Sequence, residues 1–459
     1  MKFILPFILS ISPLFSTMIE KDNDIFFNIY AGKSLQSDIT ATVSTSKGIV
    51  DLQRCNNTRD HGEWCKISYS YNGLKLNGFA EKEVLKFMAT KPNDKTTFQQ
   101  RYGGRYTDVG NAILPLEDGI LLVGSTESYG EGQHDVYVVK VDNFGNRIWS
   151  KAFGGGRMDV GKGVVAVDDG FMIAGSTSSF GNRAKSIYLS KITKSGALNW
   201  HKAYYSDNDD YYSGNSIAKD GDKLIVAGFE DHVEFFNSEV NGYVNAIDQE
   251  GRRYAIKYYG GKDVEKINSI IAVNNGYVFV GETDTWGNGD KDVFVVKVNK
   301  EGEAQWDWAY GFKDNEVGKQ IIQTQDGGYV IVGYTDSDIK HKKDIYVIKL
   351  DKKGAKEWHH IYGTLEDDEG NGVVEVEDGY VIAGYTNNTK YFNADVYLLK
   401  INKTGNVMWS RQYGGDDEDR ANAIAKVNDG LVVTGFMTSK GNFSKDLYLL
   451  KTDKNGNIN

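Results

Sequence analysis

The chain has 459 residues, with 53 Lys and Arg against 63 Asp and Glu and a formal net charge of -10. Such a balance lacks the positive footprint needed to track a nucleic-acid backbone or an anionic membrane surface, which excludes nucleic acid as a partner. The 52 Gly and 28 Tyr against only 4 Pro, in a sequence that is 40% hydrophobic, suit many short strands joined by tight turns and so an all-β fold.

Lys2, an apolar run over residues 3–14 and the small residue Ser16 precede the charged stretch Glu20-Lys21-Asp22. That order reads as a signal peptide over residues 1–17, and export to the periplasm or beyond is the expectation. The run is short for a membrane span, and no later segment approaches the roughly 18 apolar residues a span needs, so the mature protein is expected to have none. An uncleaved N-terminal anchor is the alternative reading.

Residues 24–87 hold short β-rich runs separated by Gly, Asn and Ser turns. Within them Cys55 and Cys65 are the only two cysteines. In an exported chain an isolated pair reads as a disulfide stapling a loop or hairpin. A zinc site is poorly matched, since only His61 lies between them and a structural site takes four ligands; a pair of free thiols is the alternative. The order of features, GKSLQSD, VDLQRC, EWCKISY, NGFA and EVL, resembles bacterial SH3-like domains of exported proteins. That resemblance implies a small barrel used for adhesion or recognition. Residues 88–95, with Pro92 and Asn93-Asp94, read as a linker.

From residue 96 to 459 one unit repeats. Its anchor is an aromatic, generally followed by Gly, at Tyr102, Phe153, Tyr204, Tyr259, Tyr310, Tyr362 and Tyr413. Each anchor leads into an acidic loop, a strand, an Asp-Gly-type turn, a second strand, a variable loop, a third strand such as DVYVVKVD, a Gly turn and a fourth strand ending in Trp. Four short alternating strands in about 51 residues make one propeller blade, and seven anchors predict seven blades. The last unit lacks a fourth strand, while a stray fourth strand at residues 96–102 precedes the first. The two ends together complete one blade and remove two sheet edges. The elements DGGYVIVGYT, DIYVIKLD and YGG resemble a family of exported bacterial and archaeal β-propeller proteins over residues 96–459. The resemblance implies the fold, on which enzymes and scaffolds both occur.

The repeated positions sort by expected role. Trp149, Trp200, Trp306, Trp358 and Trp409 are expected to pack blade on blade. The third-strand residues Lys140, Lys191, Lys297, Lys349, Lys400 and Lys451, with Asp135, Asp292, Asp344, Asp395 and Asp446, are expected to form an inter-blade lattice. Asp108, Asp159, Glu265, Glu316, Asp368 and Asp419 each stand three residues before Asn111, Lys162, Asn268, Lys319, Asn371 and Asn422. Entering the innermost strand, these side chains are expected at one mouth of the central channel, where carboxylates and amides suit a hard cation or a polyol. Capping of the turn by the carboxylates is the alternative. Asp284, Asn288, Asp290 and Asp292 in DTWGNGDKD are a second candidate for calcium, without the spacing of an EF-hand. The third unit departs from the rest, with Ala255 in the Trp slot and Ala246 in the Lys slot.

No nucleophile elbow, phosphate loop or zincin signature occurs, and none of the seven His recurs at a repeat position. The expectation is therefore a monomeric recognition or scaffold protein for an envelope glycan, peptide or protein. The alternative is a polysaccharide hydrolase or lyase using carboxylates at the channel mouth. The two separate on geometry. An enzyme gathers acids unique to one or two blades, and a binding module shows a near-symmetric ring.

Overall fold

A computed structural model describes six strands between residues 18 and 81, and residues 97–458 apart from 182–184, 206–209, 234–237, 338–341, 388–392 and 439–443. The expected signal peptide (1–17) and linker (88–95) lie outside the described residues. Two compact units result, Met1–Lys95 and Thr96–Asn459.

In the first unit the strands Met18–Lys21, Asp24–Tyr30, Ile39–Ser44, Ile49–Thr58, Gly62–Tyr71 and Leu74–Glu81 form one antiparallel sheet. They are the described part of the segment expected to be an SH3-like barrel. Cys55 and Cys65 stand directly opposite each other across the fourth and fifth strands.

The second unit is a β-propeller of seven four-stranded antiparallel sheets. Blades 1 to 6 take their strands consecutively from the chain. The seventh is completed by the closing strand Phe98–Tyr102, which pairs antiparallel with Lys445–Thr452 so that Lys451 faces Phe98 and Leu447 faces Tyr102. The closure expected from the two ends of the repeat array is thus present. No helix among the described residues is long and apolar enough to cross a membrane.

Alternation explains where each strand sits. The second and third strands of blade 1, Gly119–Thr126 and Asp135–Val141, are buried along their whole length, whereas the outermost strand Arg147–Phe153 has no buried residue. Apolar side chains from facing sheets interdigitate between blades. Leu121, Val123, Val136 and Val138 of blade 1 meet Phe171, Ile173, Tyr188 and Ile192 of blade 2. Each such side chain contributes about 1.5–3 kcal/mol when fully buried.

The anchors tie each blade to the next. The Tyr102 hydroxyl donates to the Gly145 carbonyl at 2.6 Å, Tyr204 to Gly251 at 2.8 Å and Tyr259 to Gly302 at 2.8 Å. Tyr310, Tyr362 and Tyr413 do the same with Gly354, Gly405 and Gly456. These acceptors lie in the following blade's turn between third and fourth strands, where Trp200 packs over Gly251, Trp306 over Gly354 and Trp409 over Gly456 as expected, and Trp149 over the equivalent Gly196. At Gly196 (φ 81°) a side chain would both strain the backbone and strike the Trp149 ring 2.9 Å away.

Of the expected inter-blade lattice of third-strand Lys and Asp, Lys451 supplies a bond to the Asn143 carbonyl of blade 1 at 3.2 Å, but Lys and Asp of one strand do not pair. Lys140 and Asp135 stand five residues apart on one strand, about 17 Å, at opposite ends of the blade. The lysine turns instead to the Asp of its own blade's first turn, Lys140 to Asp118 at 2.7 Å, Lys191 to Asp169 at 3.0 Å and Lys400 to Asp378 at 2.8 Å.

Candidate functional site

The innermost strand of every blade carries a bulge at one equivalent position, residues 111, 162, 215, 268, 319, 371 and 422. An extra residue there turns its side chain out of the ladder and across to the neighbouring blade. Asn111 donates to the Gly161 carbonyl, Asn215 to Ile267, Asn268 to Gly318, Asn371 to Ala421 and Asn422 to Gly110, each at 2.9 Å. Lys162 donates to Ser213 Oγ and Asn215 Oδ1, both at 2.8 Å. Burial pulls its ammonium down to about 7, with Lys185 adding like-charge repulsion. The amides expected at the channel are therefore a belt of cross-blade hydrogen bonds, and Asn215 belongs to it.

The acids expected beside them lie in the blade junctions. Asp108, Asp159, Glu265, Glu316 and Asp368 are 0% exposed and Asp419 is 2% exposed. Each accepts the N–H of the residue four positions earlier: Gly104 and Gly155 at 2.8 Å, Gly261 at 2.7 Å, Phe312, Thr364 at 2.6 Å and Gly415 at 3.0 Å. Ser128 and Ser179 hydroxyls add bonds to Asp108 and Asp159. The geometry is that of a turn cap.

Five of the six caps also face the third-strand acid of the preceding blade across the glycine after the anchor, whereas Glu265 faces Asn241 there. A Cβ on Gly154 would lie 1.9 Å from Asp135 Oδ1 and 2.7 Å from Asp159 Oδ2. On Gly103 it would lie 2.5 Å from Asp108 Oδ2 and 2.7 Å from Asp446 Oδ1. The paired carboxylates are the reason the anchor is followed by Gly. Burial raises the pKa of Asp108, Asp135, Asp292 and Asp368, and lifts Asp419 to about 6.

One junction has neither the glycine nor the acids. After Tyr204 comes Tyr205 in place of Gly, with Ser186 in the third-strand acid position, and the first strand of blade 3 (Tyr211–Asp220) has Tyr212 where its siblings have Asp or Glu. The carboxylate has moved to the second strand (Lys223–Val233) as Glu230, opposite Tyr212. There Asp210, Glu230 and His232 bring one ligand atom each within 4.8 Å of one another. His232 Nδ1 lies 3.2 Å from Asp210 Oδ1 and its Nε2 3.7 Å from Glu230 Oε2, while Tyr212 donates to Glu230. Burial raises the Glu230 pKa against the opposing effect of His232. Among the described residues this is the one cluster of three His, Cys, Asp or Glu with metal-ligand spacing. Glu230 and His232 share the second strand while Asp210 comes from the loop before the first, 20 residues earlier, and the set recurs in no other blade, so spacing in the sequence did not expose it. The irregular third unit was the available signal.

In the loop expected to hold calcium, Asp292 accepts the N–H groups of Asn288 at 3.0 Å and Gly289 at 3.2 Å. The Asp284 and Asp290 backbone N–H groups donate to the Val264 and Asp314 carbonyls. These carboxylates do not form a cluster of the kind seen in blade 3.

No known family profile matches the sequence. The regulatory protein FlaEY of Caulobacter vibrioides is 23% identical over 184 residues, which are 34% of this chain and 19% of that protein. The chain thus matches about a fifth of that relative's length. Among solved structures, the WD40 β-propeller domain of Doa1 superposes with a TM-score of 0.48 at 10% identity, covering 78% of this chain and 97% of that one. The polysaccharide lyase Uly1 gives 0.48 at 10% identity over 80% and 95%. Sqt1 from Chaetomium thermophilum gives 0.43 at 10% over 74% and 82%. Likeness at this level carries no statement about ligand or activity.

Proposed function

We propose that this chain is an exported, non-catalytic recognition protein that binds an envelope glycan, peptide or protein through the propeller face bearing the loops between second and third strands and between blades. The observation that carries the reading is the division of labour on that face. The recurring acids are buried as turn caps, whereas aromatic rings are left open to solvent in the loops around them. Tyr106 is 53% exposed, Tyr129 40% and Trp286 41%. Two of these are held in place from below, Tyr129 stacking on Tyr137 at 5.5 Å and Trp286 on Phe294 at 5.3 Å. Rigid, half-exposed aromatics contribute contact area at low entropic cost. A Cys55–Cys65 bridge and cleavage near residue 17 belong to the same reading, and intact mass with and without reductant tests both.

The decisive experiment compares the protein with a Tyr129→Ser/Trp286→Ser variant on a glycan array and against a detergent-free envelope fraction. The reading expects at least a tenfold loss of whatever the parent retains, with the melting temperature little changed. Equal retention by the variant removes this face as the recognition surface.

A second reading rests on the acids unique to blade 3. Asp210, Glu230 and His232, backed by Tyr212, converge as a polysaccharide hydrolase or lyase site requires, and a His with two carboxylates also suits a divalent transition metal better than calcium. Under this reading Glu230→Gln abolishes turnover of a polysaccharide panel, and zinc or EDTA shifts the melting temperature. No turnover by the parent and no shift with zinc, calcium or EDTA removes it.

A further inference from the structure

The opposite face of the propeller carries the turns between first and second strands and between third and fourth. There, five blades neutralise their third-strand lysine with an Asp in the first turn, Lys140 with Asp118, Lys191 with Asp169, Lys349 with Asp326, Lys400 with Asp378 and Lys451 with Asp429, at 2.7–3.0 Å. Blade 4 does not. Its turn reads Asn274-Asn275-Gly276, so an amide stands at the carboxylate position and Lys297 has no ion pair among the described residues.

A second lysine has lost its partners at the same place. Lys352, in the blade 5 turn between third and fourth strands, corresponds to Lys300 and Lys403 in the neighbouring blades. Lys300 binds Asp220 of the preceding blade at 2.6 Å, and Lys403 pairs with Glu375 of its own blade. By register, Val273 occupies the Asp220 position and Gln323 the Glu375 position. Here too a carboxylate is replaced by its own amide.

These residues line one cleft of about 530 Å³ between blades 4 and 5, formed by Asn275, Lys297, Gln323, Lys352 and Lys353 with the Tyr329 ring, and containing no acid. In a chain of net charge -10 that concentrates three lysines and several amide donors without a counter-charge. We propose that this cleft binds a tetrahedral oxyanion, a phosphate or sulfate ester group. Ammonium groups act as point charges and suit a compact dianion, while a planar carboxylate favours the arginine fork, which is absent here. The volume leaves room for the molecule that carries the ester.

The siblings supply the test, because they show which residue abolishes the site without harming the fold. Asn275→Asp restores the turn carboxylate that five blades carry, and Gln323→Glu restores the Glu375 of blade 6. Binding is measured by titration calorimetry at constant ionic strength in chloride, with inorganic phosphate, inorganic sulfate and acetate as probes, and then with a sugar phosphate and a sulfated disaccharide to separate the two sources. The parent is expected to bind phosphate or sulfate saturably and acetate at least tenfold more weakly. Asn275→Asp/Gln323→Glu is expected to weaken the oxyanion at least tenfold with an unchanged or higher melting temperature. No saturable binding by the parent, acetate bound as well as phosphate, or equal binding by the charge-restored variant each overturns the proposal. Because the cleft lies on the face away from Tyr129 and Trp286, the fate of the loop-face reading does not decide this one.

Discussion

Phe153 is the one anchor without a hydroxyl, and its position shows what the other six supply. Gly196 stands 43 residues beyond it, the same separation that links Tyr102 to Gly145 and Tyr259 to Gly302. Phe153→Tyr should therefore gain a bond the siblings already have, raising stability by about 1 kcal/mol, and Tyr259→Phe should lose a similar amount; chemical denaturation of the two variants measures both. Asp419 gives a pH signature. Burial lifts its carboxyl to about 6, so the folded state keeps a proton that the unfolded chain releases near 3.8. Its stabilising effect is fully present below that lower value and is lost as pH rises through about 6. The melting temperature of the parent relative to Asp419→Asn should accordingly fall between pH 4 and 6 and level off above; a difference that is flat across this range refutes the buried, raised carboxyl.

At the scale of the strand, the closing strand and the bulge belt do the same work at different radii. Removing residues 96–101 takes away buried Phe98 and leaves the Lys445–Thr452 edge unpaired. Losing one buried aromatic costs about 3–5 kcal/mol before the ladder is counted, so unfolding should stay cooperative and its midpoint drop by roughly 10 °C or more. Asn422→Ala removes the belt's link from blade 7 to the Gly110 carbonyl of blade 1 and should cost about 1 kcal/mol, whereas Asn428→Ala, in an exposed turn, should cost little. Strand identity and blade count were legible from the alternation and from the anchors, because both depend on neighbours in sequence. The belt was only half legible. Asn215 was overlooked because Tyr212 replaces the acid that marked the other copies, and the bulge that aims these side chains has no residue signature of its own.

Across the whole molecule, repetition concealed as much as it revealed. The acids looked like a ring awaiting a ligand because in sequence they stand alone; in space each meets a backbone N–H, and all but Glu265 meet a second carboxylate across a glycine. The proposed chemistry sits at the departures instead, Glu230 and His232 between blades 2 and 3 and the amides of Asn275 and Gln323 between blades 4 and 5. In both, the missing partner is defined only by the register shared with the sibling blades. The closing strand also sets a clock. Phe98–Tyr102 leaves the ribosome early, yet its partner strand follows about 350 residues later, which at 5–20 residues per second leaves it waiting roughly 20–70 s. During synthesis the nascent propeller is an open crescent with two unsatisfied edges, and its last step is capture of the first strand by the last.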